Sequence, residues 1–360
     1  YWAGTPGGGL WKSTNAGASW TTNTDNFVSL GVSSILINPS NSNIMYISTG
    51  DPDGRHTVST GVLKSTDGGN TWTQTGLNFT TTQGKDIDQL KFLPNNPNVI
   101  LAATSDGIYR SSNAGTSWTL INNTAYTYDI AFHPTNANIV YAVCSSNFVK
   151  STDGGVTWSV ITSGLPTSLG DARVAITPAA PNNVYILIAQ GDFFKSTNSG
   201  TSFTKVSTNS GLGNQTWWDL VLEVNPTDPS LVYTAGVWFS NSTDGGVTWG
   251  SSFNNIHADD HNMYFYGNAW FICNDGGLYR STDNGINWEL LHNGMQIMQF
   301  YRMSSYAHNP SHIIGGTQDN GTSMLRNNTW KQVSGGDGMD NALSKSDPDV
   351  AYASYQNGIL

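Results

Sequence analysis

The stretch IHADDHNM sets two imidazoles and a carboxylate at alternate positions, His257, Asp259 and His261. Alternate residues of an extended strand share one face, with Asp260 turned the other way. Two histidines and an aspartate so placed can ligate a divalent metal, bind a ligand, or close a His–Asp hydrogen-bonded network; no fourth ligand is evident, and no other cofactor is implied. Three further acids, Asp319 in GTQDNG and Asp337 and Asp340 in GGDGMD, lie downstream. They read either as turn formers or as carboxylates projecting into a cleft beside the histidines. Two such acids can hydrolyse a glycosidic bond, their separation deciding between inversion and retention. Trp218, adjacent to Trp217, offers a ring face for stacking on a sugar, unless it simply packs in the core.

These residues are carried by a repeat. The phrase STDGGNTW (65–72) returns as STNAGASW, SSNAGTSW, STDGGVTW, STNSGTSF, STDGGVTW and STDNGINW, taking its last aromatic from Trp20 to Trp288 in six steps. Steps of about 45 residues indicate propeller blades or a comparable array. A worn eighth copy ends at Trp330 in LRNNTW. Each copy follows two apolar runs parted by an Asn/Pro turn, as in DIAFHPTNANIVYAVCS, then a third run such as GIYRS, and a fourth run follows the copy. Four short strands per step is a blade.

The phrase is then the turn between the third and fourth strands. Its third position reads Asn15, Asp67, Asn113, Asp153, Asn198, Asp244 and Asp283. Asn and Asp share an acceptor oxygen but not a charge, so the turn needs an acceptor for its own backbone N–H groups. These positions are expected to be structural, with the aromatics packed between blades. The opposite face, bearing the second-to-third-strand loops and the blade-to-blade linkers, holds nearly every unexplained Asp and His.

Composition fits. Of 360 residues only 11% are charged, and formal charge is −10; apart from Glu223 and Glu289 the acids are Asp, a turn and cap former. The absence of a basic stripe argues against nucleic acid. No apolar run is long enough to span a membrane. Cys144 and Cys273 lie in apolar runs in distant repeats and are expected to be buried thiols. The chain opens and stops mid-pattern, on YWAG and NGIL, and reads as a piece of something longer.

The phrase S/T-x-D/N-x-G-x-x-W/F resembles the Asp-box, or BNR repeat, and the chain resembles sortilin-like and BNR-repeat propellers over nearly its full length. TPGGGLWKSTNAG, NDGGLYRSTDNG and GGTQDNGT are similar to large secreted bacterial members. The resemblance implies an all-β propeller of four-stranded Asp-box blades, seven-bladed or larger. One arrangement is a two-propeller chain with a boundary near 293–300, the first and last of about eight repeats being incomplete. Sialidases of this group need three arginines around the substrate carboxylate. Of Arg55, Arg110, Arg173, Arg280, Arg302 and Arg326, Arg110 and Arg280 fill a repeating slot before the box, which argues against that activity. The xyloglucan-cleaving members use Asp-x-Gly-Gly loops; here the matching stretches are Pro6-Gly7-Gly8-Gly9 and Asn274-Asp275-Gly276-Gly277. Both depart from the pattern, leaving Asp275, Asp319 and Asp337 as catalytic candidates only if the loops shift.

The leading expectation is a secreted or cell-surface bacterial binding or adhesion module, other domains of its chain beside it. It engages polysaccharide or protein through its loop-rich face, using His257, Asp259, His261, Asp319, Asp337, Asp340 and Trp218. A glycoside hydrolase of xyloglucanase-like architecture and a spacer without ligand are the alternatives.

Overall fold

The computed structural model describes residues 1–54, 56–123, 125–250, 256–347 and 349–358. Arg55, and Ile359–Leu360 of the NGIL ending, lie outside these residues. The chain falls into two compact units, Tyr1–Met295 and Gln296–Leu360. No α-helix occurs among the described residues, and none of their helical segments is long and apolar enough to cross a membrane.

The first unit is seven antiparallel sheets in chain order, each strand bonded to the next in sequence. Blade 2 shows the pattern: Val32–Ile37, Met45–Thr49, Gly61–Ser65 and Thr73–Asn78, from axis to rim. The second strands are the most deeply buried. Tyr46, Tyr141 and Tyr185 are essentially inaccessible, which requires cover on both sheet faces. That cover is the neighbouring blade: Tyr141, Val143 and Phe148 of blade 4 pack with Val174, Ile186 and Phe203 of blade 5. The last blade returns to the first, where Trp20 donates its indole N–H to Leu291 O at 2.6 Å and Tyr1 meets Phe271 edge-on at 5.3 Å. The sheets therefore form a closed seven-bladed ring.

Inner strands are stitched by a recurring clasp. Leu90 N donates to Ser34 Oγ at 3.0 Å, Ile130 N to Gln89 Oε1 at 2.9 Å and Val174 N to Asp129 Oδ2 at 3.0 Å. Each acceptor follows a bulge at the start of its inner strand, which swings its side chain toward the next blade.

The box corners are closed by hydrogen bonds among their own residues. Ser65 Oγ donates to Asp67 Oδ1 at 2.8 Å and accepts Gly69 N at 2.8 Å; Asp67 Oδ1 also accepts Thr71 N at 2.9 Å. Gly69 has φ of 79°, and a Cβ there would sit 2.4 Å from the Trp2 ring, so only glycine closes the corner onto that indole. The expected eighth copy is not a box. Arg326 pairs with Thr329 across Asn327 and Asn328, at φ of 51° and 60°. Two central residues with positive φ make a tight hairpin turn, and Trp330 is 50% exposed.

Among the described residues blade 1 holds three strands, Trp2–Gly4, Leu10–Lys12 and Thr21–Thr22. One expectation about the cysteines is corrected. Cys144 is buried, but Cys273 is exposed. On Ala269–Asn274, Trp270 and Ile272 face blade 6, while Phe271 and Cys273 turn toward blade 1. Tyr264 and Tyr266 on the adjacent strand are likewise exposed, 61% and 68%.

The second unit holds a four-stranded sheet, Phe300–Tyr306, Asn309–Thr317, Thr322–Arg326 and Thr329–Ser334, followed by the pair Asn341–Leu343 and Ala351–Ala353.

Candidate functional site

Loops from blades 2, 5, 6 and 7 meet at one end of the first unit's axis. Blade 2 contributes the loop with Asp51, Asp53 and His56. Blade 5 contributes Asp171 and Arg173, the linker to blade 6 contributes Trp217, Trp218 and Asp219, and blade 7 contributes Asp259, His261 and Asp275. His261 ties them together: Nε2 lies 2.9 Å from Asp275 Oδ1, and Nδ1 lies 3.5 Å from Asp53 Oδ2. Burial opposes charge on this imidazole, but the bonded carboxylates of Asp275 and Asp53 outweigh it, holding its pKa well above the usual histidine range. Asp53 also faces Arg173, whose guanidinium donates to Asp171 Oδ1 at 2.7 Å and lies in the field of Asp129 and Asp88.

A second group sits beside this chain of charges. Asp219 is fully enclosed, and burial together with the facing Asp259 carboxyl pushes its pKa up to about 8. Asp259 is pushed up by its own burial and by the charge of Asp275. At neutral pH the Asp219–Asp259 pair therefore retains a proton. Asp260 points into the protein, accepts Asn274 Nδ2 at 3.1 Å and is pushed up to about 7 by burial.

Asp259 is bonded to two tryptophan-bearing segments. Gln215 Nε2 donates to its Oδ1 at 3.4 Å, and its own N–H donates to Val237 O at 3.2 Å. Next to these partners Trp217 is 61% exposed and Trp238 54% exposed. Trp218 is half-buried, its ring edge-on to Trp217 at 5.8 Å and to His56 at 5.7 Å. The result is an acidic mouth rimmed by exposed indoles.

Several expected residues are placed differently. His257, Asp259 and His261 do not share a strand face, because the strand begins at Asp260 and Asp259 has φ of 63°. The positive φ swings Asp259 away from the alternation, and His257 packs against Gly276, its Nδ1 3.0 Å from Ala258 O. Among the described residues these three do not bring one ligand atom each within 4.8 Å of one another. Trp217 and Trp218 stand on a turn, ahead of the strand Val221–Val224. Asn274, at the acid position of an Asp-x-Gly-Gly loop, donates to His257 O at 2.8 Å and so pins the linker.

Asp319, Asp337 and Asp340 belong to the second unit. Asp319 N donates to Asp337 Oδ1 at 2.8 Å, and Gln356 Nε2 donates to Asp337 Oδ2 at 3.2 Å, so Asp337 holds two turns together. Asp340 is a surface group, 3.5 Å from Arg302 Nε.

Sequence reasoning missed Asp53, Asp219, Arg173 and Asp88. For Arg173 a signal was present: it interrupts an otherwise apolar inner strand, ARVAI. A charge there faces the axis.

The sortilin family model, described as "Sortilin, neurotensin receptor 3", matches residues 8–143 and 146–350. No curated protein matches the chain. Among solved structures it is similar to a GH74 xyloglucanase from Xanthomonas campestris, at 16% identity and a TM-score of 0.73, over 99% of this chain and 62% of that one. It is similar to PorZ, a surface component of the type-IX secretion system of Porphyromonas gingivalis, at 15% identity and a TM-score of 0.57, over 99% of this chain and 50% of that one. YCF48 bound to a D1 peptide aligns at 18% identity and a TM-score of 0.56, over 77% of this chain and 87% of that one. The chain thus spans less than two thirds of the xyloglucanase and half of PorZ, and these likenesses establish the β-propeller fold. With the family model running from the first box to the last strands, the chain belongs to the Sortilin-Vps10 family.

Proposed function

We propose that the first unit is a polysaccharide-binding propeller of a secreted or cell-surface bacterial protein, taking an uncharged glycan at its axial mouth. One observation carries this: Asp259 joins two segments that each expose an indole, Trp217 and Trp238. Indole faces stack on sugar rings, and carboxyl oxygens beside them accept sugar hydroxyls. The net charge of −10 disfavours anionic glycans. Binding is favoured over hydrolysis because the acids are engaged: Asp275 and Asp53 hold His261, and Asp219 is enclosed. A xyloglucanase and a bacterial surface component among the fold's relatives support a glycan and an exterior location. We also propose that the second unit begins a second propeller.

Affinity electrophoresis in gels carrying xyloglucan, hydroxyethyl cellulose or dextran sulfate tests the reading. Retardation by a neutral polymer, lost in Trp217→Ala, is expected, with no reducing ends released. Equal mobility in every gel would end the proposal. Reducing-end release abolished by Asp275→Asn would replace it with hydrolysis.

A further inference from the structure

Away from the axis, between blades 1 and 2 of the first unit, lies a cleft of about 590 Å³, within the roughly 300–1,000 Å³ typical of small-ligand sites. Its walls come from three parts of the chain. The linker after blade 1 supplies Asn26, Phe27 and Val28; the outer strands of blade 2 supply Trp72 and Gln74; the linker to blade 3 supplies Phe79 and Thr81. Val28 is 83% exposed at the rim, an unusual position for a branched aliphatic side chain unless something covers it.

The lining combines partly buried aromatic residues with neutral polar groups and includes no charged residue. Gln74 spends its Nε2 on Thr60 O and Val62 O, at 3.0 and 3.4 Å, which leaves its Oε1 as an acceptor. The side chains of Asn26 and Thr81 make no hydrogen bond among the described residues, so an amide and a hydroxyl remain to meet a guest. An ionic guest would find no counter-charge here. A wholly apolar guest would strip water from these amides and the hydroxyl without replacing its hydrogen bonds. A pyranose satisfies both demands: its C–H faces lie against rings, and its equatorial hydroxyls reach the amides and the threonine.

We propose that this cleft binds a neutral mono- or disaccharide, as a peripheral site separate from the axial mouth. It gives the propeller a second contact with a glycan chain, and two weak sites on one rigid body reinforce each other by effective concentration.

The test is a titration of the 360-residue protein with cellobiose, maltose and lactose, followed by saturation-transfer NMR and calorimetry. At least one disaccharide is expected to bind saturably. Trp72→Phe keeps a ring that the fold accepts, since Phe203 fills the same corner in blade 5, and it should weaken that binding roughly tenfold. Val28→Asp, at an exposed rim position, should weaken it as well without touching the core, while Trp217→Ala should leave it unchanged. The proposal is overturned if no disaccharide binds, or if neither cleft variant weakens binding. It is equally overturned if Trp217→Ala abolishes the titration, which would move the sugar to the mouth, or if indole displaces every sugar and binds more tightly, which would mark an apolar guest. Absence of polymer retardation in the parent protein, with disaccharide binding intact, would sink the mouth reading alone.

Discussion

The box corners and the axial mouth use the same side chain to opposite ends. At the corner, half-buried Asp67 takes two backbone N–H groups and two hydroxyls: Thr71 N at 2.9 Å, Asn70 N at 3.0 Å, Ser65 Oγ at 2.8 Å and Thr71 Oγ1 at 2.6 Å. The Thr71 and Ser65 donors pull its pKa down to about 2. At the mouth, Asp219 has no exposed surface and faces a second carboxyl, and its pKa rises to about 8. Donors stabilise a carboxylate and enclosure penalises it. A corner built from donors holds a fold together. A mouth that encloses acids keeps a proton at neutral pH.

The sharpest test of this contrast is Arg173→Met. The guanidinium is the positive centre for Asp171, Asp53, Asp129 and Asp88, and removing one partner from a buried ionic group typically costs about 3–5 kcal/mol. Urea denaturation should show a loss of that order. A loss no larger than at a surface position would mean that the axial charges are solvated, and the contrast with the corners would fail.

Next comes pH. Asp219 rises from an ordinary 3.8 to about 8 in the folded protein, so the folded state binds its proton more tightly than the unfolded chain. Stability should therefore fall as pH climbs from about 4 to 8. His261, held above its ordinary 6.5, contributes fully below that value and loses its contribution as pH rises through the raised one. Both groups predict decline toward alkaline pH. Asp219→Asn should flatten the descent in thermal unfolding between pH 5 and 8 and raise the midpoint at pH 8; an unaltered slope would deny that Asp219 is protonated. Corners behave inversely: Asp67 falls from 3.8 to about 2, so their contribution is present above the ordinary value and lost as pH drops toward 2.

Ser65→Ala probes the corner itself. Ser65 is 1% exposed and its hydroxyl bonds both Asp67 and Gly69 N, so truncation should cost about 1–2 kcal/mol by leaving a buried N–H unmet. Retardation in the polysaccharide gels should be unaltered. A change in binding would tie the two faces together.

How far the chain declares itself follows the same division. The corners were legible because their hydrogen bonds are local, within four residues of Asp67 or Asn15, and the phrase repeats. The mouth was not, because Asp53, Asp219 and His261 come from blades far apart in sequence and meet only when the ring closes. His257 and Asp259 misled because alternation predicts a shared face only on an unbroken strand, and the positive φ of Asp259 breaks it. The tight turn at Asn327–Asn328 passed for a box because both use Asn before a Trp.

The smallest expected effect is also the most discriminating. Boxes with Asn carry Ser four residues on, as Asn15 with Ser19, Asn113 with Ser117 and Asn198 with Ser202, the amide donating to the hydroxyl at 2.8–2.9 Å. Boxes with Asp carry Thr or Asn there, and that side chain donates to the second carboxylate oxygen. In both, Oδ1 accepts the same N–H, so the corner asks only for an acceptor and a matched partner. The double variant Asp67→Asn/Thr71→Ser converts one kind into the other. Its unfolding midpoint at pH 7 should match the parent, and only its loss of stability between pH 4 and 2 should be shallower. Asp67→Asn alone, which keeps Thr71, should fall slightly below the double variant. A double variant clearly less stable at pH 7 would show that charge matters at the corner as it does at the mouth.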